Sequence, residues 1–157
     1  MIVRTILLAA TLAVAATPMT FAQSCDAEPA LAGHRTANGT VRAQYNAVER
    51  GEWANAVHIG EGLVDTGISS RNKIAAYSNL CAGYAGNGEF EAAVTACNSA
   101  LELNDGAWRA LNNRGAAHWL AGNRDAAAAD FQAANAASSG EDEVAANLAL
   151  LTCMTSS

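Results

Sequence analysis

Two short sequence phrases recur along the chain at a common spacing. An asparagine opens one phrase, and its three copies are evenly spaced: Asn79, Asn113 and Asn147. A glycine opens the other phrase, at Gly51, Gly88 and Gly122, and the step from its second copy to its third equals the asparagine interval. Two interleaved signals with one period are typical of proteins that stack copies of a single supersecondary unit.

The apolar residues within each copy follow a helical spacing. After Gly88 they fall at Phe90, Ala93, Val94 and Cys97, which is the i, i+3, i+4, i+7 stripe of an amphipathic helix. A similar stripe precedes the glycine. Alanine, the residue with the highest helix propensity, makes up about a quarter of the chain. Each unit is therefore predicted to be a helix, a tight glycine turn and a second helix.

The unit from Ile74 to Ala107 resembles the tetratricopeptide repeat (TPR) family. The matching positions hold bulky, asparagine and small residues on the first helix, the turn glycine, and an aromatic and a small residue on the second helix: Tyr77, Asn79, Cys81, Tyr84, Gly88, Phe90 and Ala93. The next unit departs at Arg114 and Arg124, where the family has an aliphatic and an aromatic residue. The first unit departs at Gln44, where a small residue is expected.

This resemblance implies an all-α fold in which about three helical hairpins and a C-terminal capping helix stack into a right-handed superhelix. The TPR-like domain is expected over residues 40–157. Its parts, and the extension before it, are expected near residues 23–39 (extension), 40–66, 71–104 and 106–138 (hairpins) and 141–154 (cap). In this family the first helices line a concave face that often takes an extended peptide.

Residues 1–22 have the pattern of a secretory signal peptide. One base, Arg4, precedes an apolar run over residues 6–16, which is too short to span a bilayer as a helix, and a small-x-small tripeptide ends the segment. We therefore expect export to the periplasm or the medium, a mature chain that begins at Gln23, and no membrane span. An acylated Cys25 is the alternative, although the large aliphatic residue that normally precedes a lipoprotein cysteine is missing.

Composition and charge argue against several functions. The formal net charge is -6, with nine Lys+Arg against fifteen Asp+Glu, which argues against a nucleic-acid partner. The histidines His34, His58 and His118 have no neighbour at a metal-ligand spacing, and the chain has neither a nucleophile elbow nor a phosphate loop. We therefore predict no catalytic residue, no metal, no cofactor and no enzymatic activity.

Four cysteines in an exported chain favour disulfides, and three complete pairings are open. By the resemblance, Cys81 replaces the usual small residue and Cys97 replaces the aromatic that Phe131 supplies in the next unit. Both lie on facing stripes of one hairpin, so we predict a disulfide between them. Cys25 and Cys153 could pair only if the extension folds back along the stack, and this pairing stays open.

The first helices are expected to present a ligand groove: Asn79, Arg109, Asn112, Asn113 and Trp119. Asparagine offers donors and an acceptor to a peptide backbone, arginine can hold a carboxylate, and tryptophan can stack. The predicted function is a non-catalytic protein–protein interaction module that holds a peptide or helix of a partner protein. Asn79 and Asn113 could instead only tie neighbouring helices together, which would leave the convex face for the partner.

Two other functions stay open. A cell-wall glycan-binding accessory protein would use Trp53, Trp119 and Tyr77 to stack on sugars. An enzyme with an unrecognised site is the third candidate.

Overall fold

A computed structural model describes residues 27–154 of the chain; the predicted signal peptide and residues 23–26 lie outside the described residues. The described part consists of seven α-helices and contains no strand: α1 (Gly39–Glu49), α2 (Trp53–Val64), α3 (Ser70–Gly86), α4 (Phe90–Leu103), α5 (Trp108–Leu120), α6 (Arg124–Ala137) and α7 (Asp142–Met154). The all-α prediction is confirmed.

The helices stack as three hairpins, α1–α2, α3–α4 and α5–α6, followed by α7. Each second helix also packs against the first helix of the next unit, because α2 contacts α3, α4 contacts α5, and α6 contacts α7. The first helices form a layer of their own, in which α3 contacts α1 and α5, and α5 contacts α7. This layer carries the candidate site.

Backbone geometry explains why the repeated phrase opens with glycine. Gly51, Gly88 and Gly122 follow the first helix of their hairpins, and their φ angles are 67°, 82° and 84°. Residues with a Cβ rarely adopt this left-handed conformation, whereas glycine adopts it readily. The glycine therefore stops each first helix and lets the chain return as the second.

One contact between the two helices recurs in all three hairpins with different residues. It joins positions 16 residues apart, and a large side chain faces a small one in the outer two hairpins. Gln44 is completely buried against Gly60, where a Cβ would collide with the Gln44 amide, and its Nε2 donates to the Ala76 carbonyl at 3.1 Å. In the third hairpin a Cβ at Gly115 would lie 2.7 Å from the Phe131 ring.

In the middle hairpin both positions are cysteine, and the predicted Cys81–Cys97 disulfide is present. The two Cα atoms lie 5.2 Å apart, and both cysteines are completely buried. The neighbouring positions on the second helix are the buried Ala93, Ala96 and Ala100. Because these side chains are small, the two helices approach closely enough for the bond, which needs Cα atoms within about 7 Å.

Arg114 stands where the family usually has an aliphatic residue, and its charge is balanced by Asp130 on the facing helix. Its Nε and Nη2 atoms donate to the two carboxylate oxygens of Asp130 at 2.8 and 2.7 Å, and Asp130 is buried. The equivalent positions of the preceding hairpin hold Leu80 and Ala96, which are also buried. In the third hairpin a bidentate ion pair between α5 and α6 thus stands where the second hairpin has an apolar pair between α3 and α4.

Because the recurring contact joins equivalent positions, we predict that the residue pair of one hairpin can be transferred to another. Replacing the disulfide by alanines, Cys81→Ala with Cys97→Ala, should cost about 3 kcal/mol of unfolding free energy, because the cross-link is lost. The pair Cys81→Gly with Cys97→Phe should recover about 1–2 kcal/mol of that loss, because the ring fills the space as Phe131 does opposite Gly115. Urea unfolding followed by circular dichroism measures both.

Cys97→Phe alone is the control, and it should be less stable than the Gly–Phe pair, because the ring meets the Cys81 side chain. A Gly–Phe pair no more stable than the alanine pair would show that the hairpins are not interchangeable at this contact.

Candidate functional site

The segment before α1 runs across the layer of first helices. Residues 28–36, called the strap below, have no regular secondary structure, yet Pro29 and Ala32 are buried. Along its length the strap hydrogen-bonds first to α7, then to α5 and then to α3. It therefore runs antiparallel to the order of the repeats and reaches α1 after crossing three units.

Three asparagines hold the strap by its backbone. Each side-chain amide accepts a hydrogen bond from one strap N–H at 2.6–2.7 Å and donates one to the carbonyl of the same residue at 2.9–3.0 Å. The pairs are Asn147 with Ala30, Asn113 with Ala32, and Asn79 with His34. We call this set the asparagine ladder.

The ladder matches two different periods. The asparagines recur once per first helix, whereas their strap partners recur at every second position of the strap. Two residues of extended chain advance by about 7 Å, and helices pack at roughly 8–10 Å, closest where their side chains are small. Moving by one first helix therefore corresponds to moving by two strap residues, and the same asparagine–backbone contact is repeated at each step.

Two further predicted groove residues also bind the strap. Arg109 Nε donates to the Gly33 carbonyl at 2.9 Å, and its guanidinium lies 4.1 Å from the centroid of the Trp108 ring. Asn112 Nδ2 donates to the Ala30 carbonyl at 2.9 Å. The structure thus brings Asn79, Arg109, Asn112 and Asn113 together on one surface, with the protein's own chain on it.

Trp119 has a different role from the one expected of it. It is 6% exposed and lies in a buried cluster with Phe131 and Leu150, against which Leu31 of the strap packs. The Arg124 guanidinium lies 3.8 Å from the centroid of its ring. Because the indole is covered in this way, it anchors the strap and the core and offers no open face to a ligand.

The strap residues themselves were missed by sequence reasoning, which expected a partner's peptide on this surface. Alternation of small residues at Ala30 and Ala32, just before the first repeat, is the only sequence signal of the strap. The competing view of the asparagines also has support, because Asn113 Nδ2 donates to the Ser78 carbonyl at 3.1 Å and so joins α5 to α3. The ladder therefore ties helices to the strap and to each other.

The course of the strap bears on the cysteine pairing that sequence left open. Ala30 lies against Asn147 of α7, so the extension does fold back along the stack. Cys153, also on α7, is disulfide-bonded. Cys25 lies outside the described residues, and its pairing with Cys153 stays open.

His34 is held as the neutral imidazole. Burial lowers its pKa from 6.5 to about 4, and the positive charges of Arg109 and Arg71 act in the same direction. Its Nδ1 atom is buried and has no hydrogen-bond partner among residues 27–154. Since no acid of the described chain compensates a proton there, acid should loosen the strap at this end.

Neither a metal centre nor a membrane span emerges from the described chain. Within residues 27–154, His, Cys, Asp and Glu side chains do not converge in a group of three or more that could hold a metal ion. No helix in the same range has the length and hydropathy needed to cross a bilayer.

Replacing Asn113 tests the central rung of the ladder. Asn113→Ala should lower the unfolding free energy by about 2–4 kcal/mol, because the N–H and C=O of the buried Ala32 both lose their partner. Hydrogen exchange should show the Ala32 amide losing protection while the amides of α3 and α4 keep theirs.

The matched control is Asn135→Ala, at an exposed position of α6, which should change stability by less than about 0.5 kcal/mol. An unaltered exchange rate at Ala32 in Asn113→Ala would contradict the role given to this rung.

The pKa of His34 predicts an acid-sensitive stability. Between pH 6.5 and about pH 4 the unfolded chain binds a proton at His34 that the folded chain does not, so stability falls as pH falls through this window. We expect a loss of roughly 1–2 kcal/mol, less than the full shift implies, because the imidazole is partly solvated. His34→Gln should remove this part of the pH dependence in urea-unfolding measurements.

His58→Gln, at an exposed position, is the matched control variant, and the pH profile of His34→Gln is compared with its profile. A His34→Gln profile that overlays that of the unmodified protein would refute the assignment.

Comparison with known proteins establishes the fold. No family model matches the chain, and no curated protein matches it. Among solved structures it is similar to the first TPR domain of the human RPAP3 protein, an NMR structure, with a TM-score of 0.63 and 19% sequence identity. The match covers 74% of this chain and 91% of that domain. The chain therefore has a TPR-like fold, as its repeats predicted.

Proposed function

We propose that the protein is an exported, non-catalytic protein-interaction module whose concave groove holds an extended peptide by its backbone. The asparagine ladder carries this proposal, because its three amides complete the hydrogen bonds of alternate residues in an extended chain. The strap is the resident occupant of the groove. A peptide of the partner protein reaches the ladder by replacing the strap.

The ladder favours an extended peptide over a helix of the partner. The N–H and C=O groups of a helix bond within the helix, so they are not free for the asparagines. Because the ladder binds only the peptide backbone, the space around each bound residue decides which side chains fit. Ala32 is 0% exposed, and a Cβ at Gly33 would lie 2.8 Å from the Tyr45 ring. A competing peptide therefore needs small residues at these two positions.

Export is supported by two independent features. Residues 1–22 have the pattern of a signal peptide, and Cys81 and Cys97 form a buried disulfide. Structural disulfides persist in oxidising compartments. Against a glycan-binding function stands the position of Trp119, one of its three candidate aromatic residues, which is buried beneath Arg124.

A variant that ejects the strap tests whether the groove accepts a peptide. In Ala32→Trp the indole does not fit the buried site of Ala32, so the strap should leave the ladder while the rest of the chain stays folded. A fluorescent peptide with the unmodified sequence of residues 27–37 should then bind this variant. It should bind the unmodified protein at least about 100-fold more weakly, because the tethered strap competes at a roughly millimolar effective concentration. Fluorescence anisotropy measures both affinities.

Ala37→Trp is the matched control, because Ala37 lies next to the strap but is exposed; its binding should equal that of the unmodified protein. If Ala32→Trp keeps its helical circular dichroism and yet binds no peptide, the strap is a permanent part of the fold and the groove is not a peptide site.

A further inference from the structure

A cavity of about 540 Å³ opens at the edge of the stack where the hairpin turns meet the strap. Its volume is within the usual range of ligand sites. The strap, the turns of the first two hairpins, the end of α5 and the start of α7 all contribute to its lining. It is separate from the asparagine ladder, whose asparagines do not line it.

Apolar side chains form much of the cavity wall: Leu31, Trp53, Phe90 and Leu120. The position of Trp53 is fixed by the next hairpin, because its ring lies so close to Gly86 that a Cβ there would collide with it. Leu31 is fixed by the ladder bonds of its two neighbours, Ala30 and Ala32. The wall is therefore preformed as long as the strap is seated.

Every charged residue that lines the cavity is a glutamate. Glu28 comes from the strap, Glu49 from the end of α1 and Glu143 from the start of α7. The chain as a whole carries a net charge of -6, which adds to the negative potential at this edge. Apolar walls with a carboxylate rim suit a side chain that has a methylene stem and a cationic head.

The third hairpin supplies its own cation at the equivalent edge. Arg124 stands where the first two hairpins have Trp53 and Phe90, and its guanidinium lies over the Trp119 ring. This edge of the third hairpin thus already accommodates an arginine over an aromatic ring. In the first two hairpins the aromatic residues face a cavity whose lining contains no cation.

We propose that this cavity receives an arginine side chain displayed by a partner protein while the strap is seated. The methylene stem packs on Leu31 and Leu120, and the guanidinium meets the carboxylates and the ring of Trp53. This site goes beyond the peptide groove, because it requires the strap in place whereas a peptide in the groove replaces it. The two proposals can therefore fail separately.

The probe is N-acetyl-arginine amide, titrated into the ¹⁵N-labelled mature, oxidised protein. We expect a Kd of about 1 mM, as for a ligand of this size, with shifts at the Trp53 indole N–H and the amides of Gly86 and Gly88. Glu49→Gln with Glu143→Gln should weaken binding about fivefold or more. Glu102→Gln, at an exposed position outside the cavity, should leave it unchanged.

Two comparisons complete the experiment. N-acetyl-norleucine amide, which has the stem without the cation, should bind several-fold more weakly, and Ala32→Trp should lose the arginine site as the strap leaves. The proposal is overturned if the Trp53 indole does not shift, if norleucine binds as well as arginine, or if the two glutamate substitutions leave the affinity unchanged.

Discussion

The pairing of an asparagine amide with both backbone groups of one extended residue is the interaction on which the face of the first helices depends. A buried extended segment such as the strap has no sheet partner, and each of its N–H and C=O groups costs about 1–3 kcal/mol when it has no hydrogen-bond partner. Each rung of the ladder satisfies one of each, and this permits Ala32 to be completely buried. The same amides join neighbouring helices, since Asn147 donates to the Asn112 side chain. The ladder asparagines therefore hold the strap and also connect neighbouring first helices.

Elsewhere the repeat tolerates change where two facing positions change together. Gln44 is accommodated because Gly60 lies opposite, and Phe131 because Gly115 does. Arg114 stands where the preceding hairpin has Leu80, and Asp130 on the facing helix pairs with its charge. Close-packed interiors enforce this coupling, because a volume or charge added on one helix must be removed or neutralised on its neighbour. The three hairpins thus share a geometry without sharing the residues that maintain it.

The parts of this structure that sequence could predict are those with a local periodic signature. The helical stripes, the positive-φ glycines and the evenly spaced asparagines all follow from one period, and the Cys81–Cys97 disulfide follows from equivalent positions in adjacent units. The strap has no such signature, because the ladder recognises its backbone and asks of Ala30 and Ala32 only that they be small. The burial of Trp119 could not be predicted in the same way. Helical spacing indicates which face of α5 carries the residue, but it does not indicate that the Arg124 side chain lies over the ring.

Under the proposed function, backbone recognition also determines what a peptide that competes with the strap must offer. A peptide that merely repeats the ladder bonds gains nothing over the strap, which is tethered at a roughly millimolar effective concentration. A successful competitor must therefore add a contact that the strap lacks. Arg109 is the group placed for this, because Nε alone bonds Gly33 and its guanidinium is only half-buried beside Trp108. A carboxylate at this point of an incoming peptide would form a bidentate pair with it, and that difference in charge, not the shared backbone, would decide the exchange.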